Sequence, residues 1–129
     1  MNTGFDKMDR RSRERLAGVH PTLGGTIEAF AKTKAVIFIV TEGIRTKERQ
    51  RELVNAGASR TMNSKHLVGR AVDLAVVVGD EVRWDWPLYR NLANHLCAFA
   101  SGAGVKIIAG ANWKTFPDGP HFELADSVK

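Results

Sequence analysis

The segment Ala71–Val78 (AVDLAVVV) constrains the fold most, because it is apolar except for one carboxylate. Its β-branched residues predict a strand, and side chains alternate between the two faces of a strand. Asp73 therefore shares one face with Ala71 and Ala75, while its larger neighbours point to the other face. A carboxylate that is buried without a partner is strongly destabilising. The fold must accordingly bring a cation or hydrogen-bond donors to Asp73.

The other elements follow from apolar periodicity and from residues that begin or end helices. We expect helices at about 12–17, with Ser12 as the N-cap, from 21 onwards, at 46–56 and at 87–100. We expect further strands at 35–41, 81–84, 105–108 and 121–124. This order predicts one α+β domain over residues 1–129, with helices first and then an antiparallel sheet with one long helix inserted.

Composition excludes several classes of protein. With 129 residues, 43% of them hydrophobic and 26% charged, the chain can bury a core and is not a disordered sequence. The longest apolar run, at 35–40, is too short to cross a membrane, so we expect no stable membrane insertion. The charged first 15 residues lack an apolar core, so we expect no secretory signal. The single cysteine, Cys97, excludes an internal disulfide and a metal site built from several cysteines.

The chain is basic, with 19 Lys and Arg against 14 Asp and Glu, a net charge of +5 and a pI of about 9.7. This balance favours an anionic partner, such as nucleic acid, an acidic membrane surface or a bacterial cell-wall polymer. The basic runs at 7–15 and 45–51 contain acidic residues and no aromatic residues that could stack on bases. We therefore interpret them as solvated helix faces and expect no nucleic-acid partner.

Two histidines are candidates to lie beside Asp73. His66 precedes Asp73 by seven residues, and Gly69 between them allows the chain to turn. His121 begins the last expected strand, where it shares a face with Glu123. Two imidazoles and one carboxylate are sufficient to bind a catalytic zinc ion with one position open for water.

Hydrolysis at such a site also requires a carboxylate that does not bind the metal and can transfer a proton. Asp118, in the loop before His121, and Glu123 are the candidates. Spacing alone leaves an alternative open, in which Asp73 pairs with Arg70 or Arg45 and both histidines are ordinary surface residues.

Two patterns resemble the zinc peptidases of bacterial cell-wall peptides, which include the VanX/VanY-type D-Ala-D-Ala peptidases and the L-alanyl-D-glutamate endopeptidases of phage lysis. They are SxHxxGxAxD at 64–73 and DxxHxE at 118–123. The segments RERLAGVHPTL at 13–23, EGIRT at 42–46, GANW at 110–113 and PHFEL at 120–124 are similar to the endopeptidase branch. The resemblance spans nearly the whole chain in the right order, and it implies the Hedgehog/DD-peptidase fold.

The resemblance also implies a role for each matching residue. The zinc ligands would be His66, Asp73 and His121. Asp118 would be the general base, and Arg45 would hold a substrate carboxylate or the developing oxyanion.

Three other residues in the motifs would have supporting roles in the site. Ser64 would hydrogen-bond the substrate, Trp113 would form a wall of the pocket, and Glu123 would orient His121 or a neighbour. Asn112 departs from the family, whose members often have Asp at that position, so zinc affinity or the pH optimum would differ.

The function implied by the resemblance is that of a phage endolysin. It would be a zinc-dependent, monomeric endopeptidase that cuts the L-Ala–D-Glu bond of peptidoglycan stem peptides. It would stay in the host cytoplasm until a holin pore releases it to the periplasm and cell wall. The alternatives are a zinc D,D-carboxypeptidase that removes terminal D-Ala, a non-catalytic binding module, and a basic nucleic-acid-binding domain.

Overall fold

The computed structural model of the chain describes residues 4–59, 61–62 and 64–129. The helices in these ranges are α1 (Gly4–Leu16), α2 (Pro21–Thr33), α3 (Lys47–Asn55) and α4 (Trp86–Gly102). The strands are β1 (Phe38–Glu42), β2 (Ala71–Val78), β3 (Glu81–Arg83), β4 (Ile107–Ala109) and β5 (His121–Leu124). Short 3₁₀ turns lie at Lys65–Val68 and Gly110–Asn112. Among these helices, none combines the length and the apolar character needed to cross a membrane.

The strands form one antiparallel sheet in the order β1-β2-β5-β4, and β3 pairs with β2 as a hairpin. The longest helix, α4, is inserted between β3 and β4. The structure confirms the predicted α+β architecture. Some boundaries differ: β1 begins at Phe38 rather than at Ala35, because α2 continues to Thr33 and Lys34 then caps it in a left-handed conformation.

The helices α2 and α4 pack against one face of the sheet. Val72 and Leu74 of β2, Phe122 of β5, Leu23 of α2 and Leu92 of α4 are fully buried in one core. Burying a side chain of this size stabilises the folded state by roughly 1.5–3 kcal/mol. Because this packing fixes which face of β2 is covered by the helices, it also fixes Asp73 on the opposite face.

Ser12 does not cap α1, and that prediction was wrong. The helix begins at Gly4, and Ser12 lies inside it, buried against the edge strand β1. There its Oγ accepts a hydrogen bond of 3.0 Å from the backbone N–H of Val40, and Arg15 donates one of 3.1 Å to the carbonyl of the same residue. The helix thus satisfies backbone groups that the open edge of a sheet would leave unpaired.

Ser12→Ala should lower the free energy of unfolding by about 1–3 kcal/mol, because it leaves the buried N–H of Val40 without an acceptor. Denaturant titration followed by circular dichroism measures this change. The matched control is Ser101→Ala on the exposed surface of α4, which should stay within about 0.5 kcal/mol of the unsubstituted chain. Equal effects of the two substitutions would contradict the assigned role of Ser12.

Candidate metal centre

Pairing between β2 and β5 places Asp73 beside His121. The two residues are direct partners in the antiparallel register, so their side chains lie on the same face of the sheet. The adjacent pair, Val72 and Phe122, points into the core. One carboxylate and one imidazole therefore meet on the face away from α2 and α4.

His66 reaches the same place from the 3₁₀ turn that precedes β2. Ser64 begins the turn, and its Oγ accepts a hydrogen bond of 3.2 Å from the backbone N–H of His66. Gly69 ends the turn with a φ of +73°, and a Cβ there would lie 2.8 Å from the carbonyl oxygen of Gly18. Glycine is required at this position for both reasons.

The contacts of His66 determine which of its ring nitrogens faces Asp73. Its Nδ1 lies 2.9 Å from the carbonyl oxygen of Gly43, which can only accept a hydrogen bond, so Nδ1 carries the proton. In the neutral ring, Nε2 then presents a lone pair, and it lies 3.3 Å from Asp73 Oδ1. Both atoms are buried and have no hydrogen-bond partner among the described residues.

His121 is oriented in the same way, but with its nitrogens exchanged. Its Nε2 lies 2.8 Å from Glu123 Oε1, so Nδ1 is left facing Asp73 Oδ1 at 3.7 Å. Lys65 holds the other oxygen of Glu123 at 2.9 Å. Burial tends to raise the pKa of Glu123, but His121 and Lys65 outweigh it and hold that pKa below its usual range.

Three potential ligand atoms therefore converge, one from each of His66, Asp73 and His121, all within 4.8 Å of one another. Lone pairs on two imidazoles and a carboxylate repel one another unless a cation lies between them. Each histidine also donates its other N–H to an oxygen acceptor, as metal-bound histidines usually do. This set of donors fits a metal ion.

Without a metal, a proton can take the place of the cation. Burial lowers the pKa of His121, but the adjacent carboxylates of Asp73 and Glu123 outweigh that effect and raise the pKa to about 9. Burial likewise raises the pKa of Asp73, but the two imidazoles hold it well below its usual range. The metal-free site is thus expected to keep an ionised Asp73 beside a protonated His121 at neutral pH.

Arg45 is nearly buried and contacts three side chains at once. Its Nε and Nη1 donate to Glu42 and Gln50 at 2.5 and 2.7 Å, and its Nη2 lies 3.4 Å from Asp73 Oδ2. Gln50 is fully buried and also donates to the hydroxyl of Ser59 at 2.8 Å. Glu42 and Gln50 were not predicted as site residues, although Glu42 lies in the EGIRT segment and Gln50 is one helical turn beyond the Thr46 cap.

Asp118 lies in the loop that leads into β5. Its backbone N–H donates to the carbonyl of Gly110 at 3.0 Å, and its own carbonyl accepts from His121 N at 3.2 Å. Burial raises the pKa of Asp118, and the nearby charge of Asp73 adds to the rise. Asp118 is thus a half-buried carboxyl group beside the three converging residues.

The eight predicted site residues line one cleft of about 440 Å³: Arg45, Ser64, His66, Asp73, Trp113, Asp118, His121 and Glu123. The ring of Trp113 lies 4.9 Å from that of His121, measured between centroids. Asn112 is exposed in the 3₁₀ turn before Trp113.

The alternative that spacing left open does not describe this arrangement. His66 and His121 are only 1% and 7% exposed, so they are not surface residues. Arg70 donates to the carbonyl oxygens of Ala125 and Val128. Asp73 does pair with Arg45, but through the oxygen that does not face the histidines.

A His–Asp–His cluster that could hold a metal ion, beside a separate carboxyl group that could transfer a proton, is a combination that metal-assisted hydrolysis requires. The chain belongs to the family of phage L-alanyl-D-glutamate peptidases, whose model matches residues 4–125.

Individual relatives agree with this membership. The chain is 38% identical over 96 residues to the L-alanyl-D-glutamate peptidase of Listeria phage A118, a match that covers 74% of this chain and 33% of that protein. The chain thus spans about a third of the length of that relative. The structure of the Serratia marcescens L-Ala D-Glu endopeptidase ChiX superposes with a TM-score of 0.83 at 43% identity, covering 89% of this chain and 86% of ChiX.

A more distant structure shares the fold. The vancomycin-resistance D,D-pentapeptidase VanY, solved as an E175A mutant in complex with Zn(II), has a TM-score of 0.54 at 20% identity. The match covers 85% of this chain and 70% of VanY. Small α+β domains of this kind therefore occur in both peptidase groups.

The titration of His121 tests the geometry directly. In metal-free protein we expect its imidazole to titrate with a pKa near 9 in histidine NMR spectra, and Asp73→Asn to lower that pKa because it removes the adjacent charge. The folded state holds this proton above the pKa of about 6.5 for an unfolded histidine, so the stability of the metal-free protein should fall as pH rises from about 6.5 to 9. His95→Ala, on the exposed side of α4, is the matched control and should change neither the pKa of His121 nor the pH dependence of stability. An unchanged pKa of His121 in the Asp73→Asn variant would contradict the contact between Asp73 and His121.

Proposed function

We propose that this chain is a zinc-dependent peptidoglycan endopeptidase that hydrolyses the L-alanyl-D-glutamate bond of the stem peptide. The observation that carries the proposal is the convergence of potential ligand atoms of His66, Asp73 and His121 in a cleft that also holds Asp118. Two of these atoms, His66 Nε2 and Asp73 Oδ1, are buried without a hydrogen-bond partner among the described residues. Family membership supports the choice of substrate. These three residues would hold the zinc ion, through Nε2 of His66, a carboxylate oxygen of Asp73 and Nδ1 of His121.

When bound, zinc lowers the pKa of water toward ~7 and polarises a carbonyl group. The protein would supply the proton transfers. Asp118 would take the proton from the attacking water and give it to the leaving amine. Its raised pKa supports this role, because a general base works best when its pKa is close to the working pH.

Arg45 would stabilise the negative charge that develops on the substrate carbonyl or hold a substrate carboxylate. Its contacts to described side chains use three of its five N–H donors, which leaves two for the substrate. Ser64 Oγ accepts a hydrogen bond from the N–H of His66, and its hydroxyl proton would be donated to the substrate. Trp113 would form a wall beside His121.

The same proposal covers the biological setting. We propose that the chain acts as a monomeric endolysin, held in the host cytoplasm until a holin pore releases it to the periplasm and cell wall. Its net charge of +5 would favour adsorption to an anionic envelope, and salt would weaken that attraction.

The experiment that tests this function is mass spectrometry of peptides released from purified Gram-negative peptidoglycan, with and without a zinc chelator. We expect stem peptides that begin at D-Glu, and their release should stop when the chelator is present. Loss of terminal D-Ala alone would instead indicate a D,D-carboxypeptidase. No product from a zinc-loaded sample would contradict catalysis and favour a binding module.

Asp118→Asn serves as the second arm of that experiment. It should keep the zinc content and lower the rate of release by about 10²–10⁴-fold, because the general base is lost while the ligands remain. Asp80→Asn, in the exposed turn between β2 and β3, is the matched control and should cleave at the normal rate. Undiminished release by the Asp118→Asn variant would show that another group is the base.

A further inference from the structure

One residue beside the cleft has a backbone conformation that is unfavourable for its type. Phe116 has a φ of +54°, and Lys34 is the other non-glycine residue with positive φ in the described chain. Lys34 has a structural reason, since it caps the end of α2 and its N–H donates to the carbonyl of Ala31. For a bulky residue such as Phe116 this conformation is a genuine outlier, because Cβ clashes with the backbone.

The loop that carries Phe116 is closed at its base. The backbone N–H groups of Trp113 and Asp118 both donate to the carbonyl of Gly110, at 3.1 and 3.0 Å. A Cβ on Gly110 would lie 2.4 Å from the carbonyl oxygen of Asp118, so only glycine permits this closure. Residues 114–117 therefore project from a fixed base, and Phe116 also precedes Pro117, which restricts its backbone further.

The ring of Phe116 lies outside the hydrophobic core. It is 43% exposed and lines the cleft, on the same loop as Trp113 and Asp118. Strained residues of this kind persist where the surrounding structure imposes them, and they cluster at ligand-binding sites. The loop thus holds an aromatic ring against the cleft rather than inside the protein.

The lining of the cleft is partly apolar and partly charged. Phe116, Trp113, Leu53 and Ala58 contribute apolar surface, while Arg45 lies among the acidic and imidazole groups. At an alanyl–glutamyl bond, the substrate likewise has a methyl group on one residue and a carboxylate on the next. The carboxylate suits the cationic Arg45, and the methyl group suits the apolar part of the lining.

We propose that Phe116 is a substrate-binding residue, whose left-handed backbone holds its ring over the methyl-bearing alanyl part of the stem peptide. This inference rests on the proposed function and names a specificity contact within that site. The ring would bind the ground state and the transition state equally, because it contacts a part of the substrate that does not react.

The test compares Phe116→Gly with Lys34→Gly, which relieves the same backbone conformation away from the cleft. Steady-state cleavage of a soluble stem-peptide substrate and thermal unfolding are measured for each zinc-loaded variant. Phe116→Gly should raise KM at least about fivefold with little change in kcat, and its unfolding temperature should stay the same or rise. Lys34→Gly should raise the unfolding temperature by about 2–5 °C and leave KM unchanged.

Phe116→Tyr retains the ring and should keep KM within about twofold of the unsubstituted value. An unchanged KM in Phe116→Gly overturns the inference while the proposed function stands. A fall of more than about 5 °C in its unfolding temperature also overturns it, because the ring then supports the fold. An unsubstituted chain that leaves the substrate intact overturns both proposals.

Discussion

The interaction on which this structure depends is the repulsion among three acceptor atoms that the fold holds in one place. In the neutral rings, Asp73 Oδ1 faces a lone pair of His66 and one of His121. The other nitrogen of each ring carries the proton and donates it in a hydrogen bond, to the carbonyl of Gly43 or to the carboxylate of Glu123. Only a cation makes such a cluster favourable. A proton can serve at neutral pH, and a metal ion can replace it. The site is therefore preorganised by its hydrogen bonds before any ion enters.

The rest of the fold can be understood as the support for this cluster. Pairing of β2 with β5 places Asp73 opposite His121. The adjacent residues Val72 and Phe122 point into the core and anchor both strands to α2 and α4. The segment after β1 holds His66 through two hydrogen bonds. The carbonyl of Gly43 accepts one from the imidazole ring, and the backbone N–H of Arg45 donates one to the backbone carbonyl of His66. Lys65 then ties Glu123 to the same turn.

Much of this could be predicted from the sequence, since it depends on local patterns. The alternation in β2, the Pro–His start of β5 and the Thr46 cap each determine their own element. The family resemblance of the motifs indicated eight residues that line the cleft, but it did not indicate Glu42 or Lys65. Long-range contacts could not be predicted in this way. Ser12 has the residue type of a helix cap, but its hydroxyl instead accepts a hydrogen bond from Val40 of the edge strand β1, which is distant in the sequence. Gln50 and the positive φ of Phe116 likewise depend on neighbours that local sequence does not specify.

Calorimetric titration of Zn²⁺ into the metal-free chain tests the central claim most directly. The account predicts one ion per chain and, at pH 7, release of about one proton, because zinc must displace the proton that His121 holds up to a pKa of about 9. Affinity should rise by about tenfold for each pH unit between 7 and 9. Asp73→Asn should abolish tight binding. Binding that is independent of pH, or equally tight in the Asp73→Asn variant, would contradict the claim that these three side chains form the metal centre.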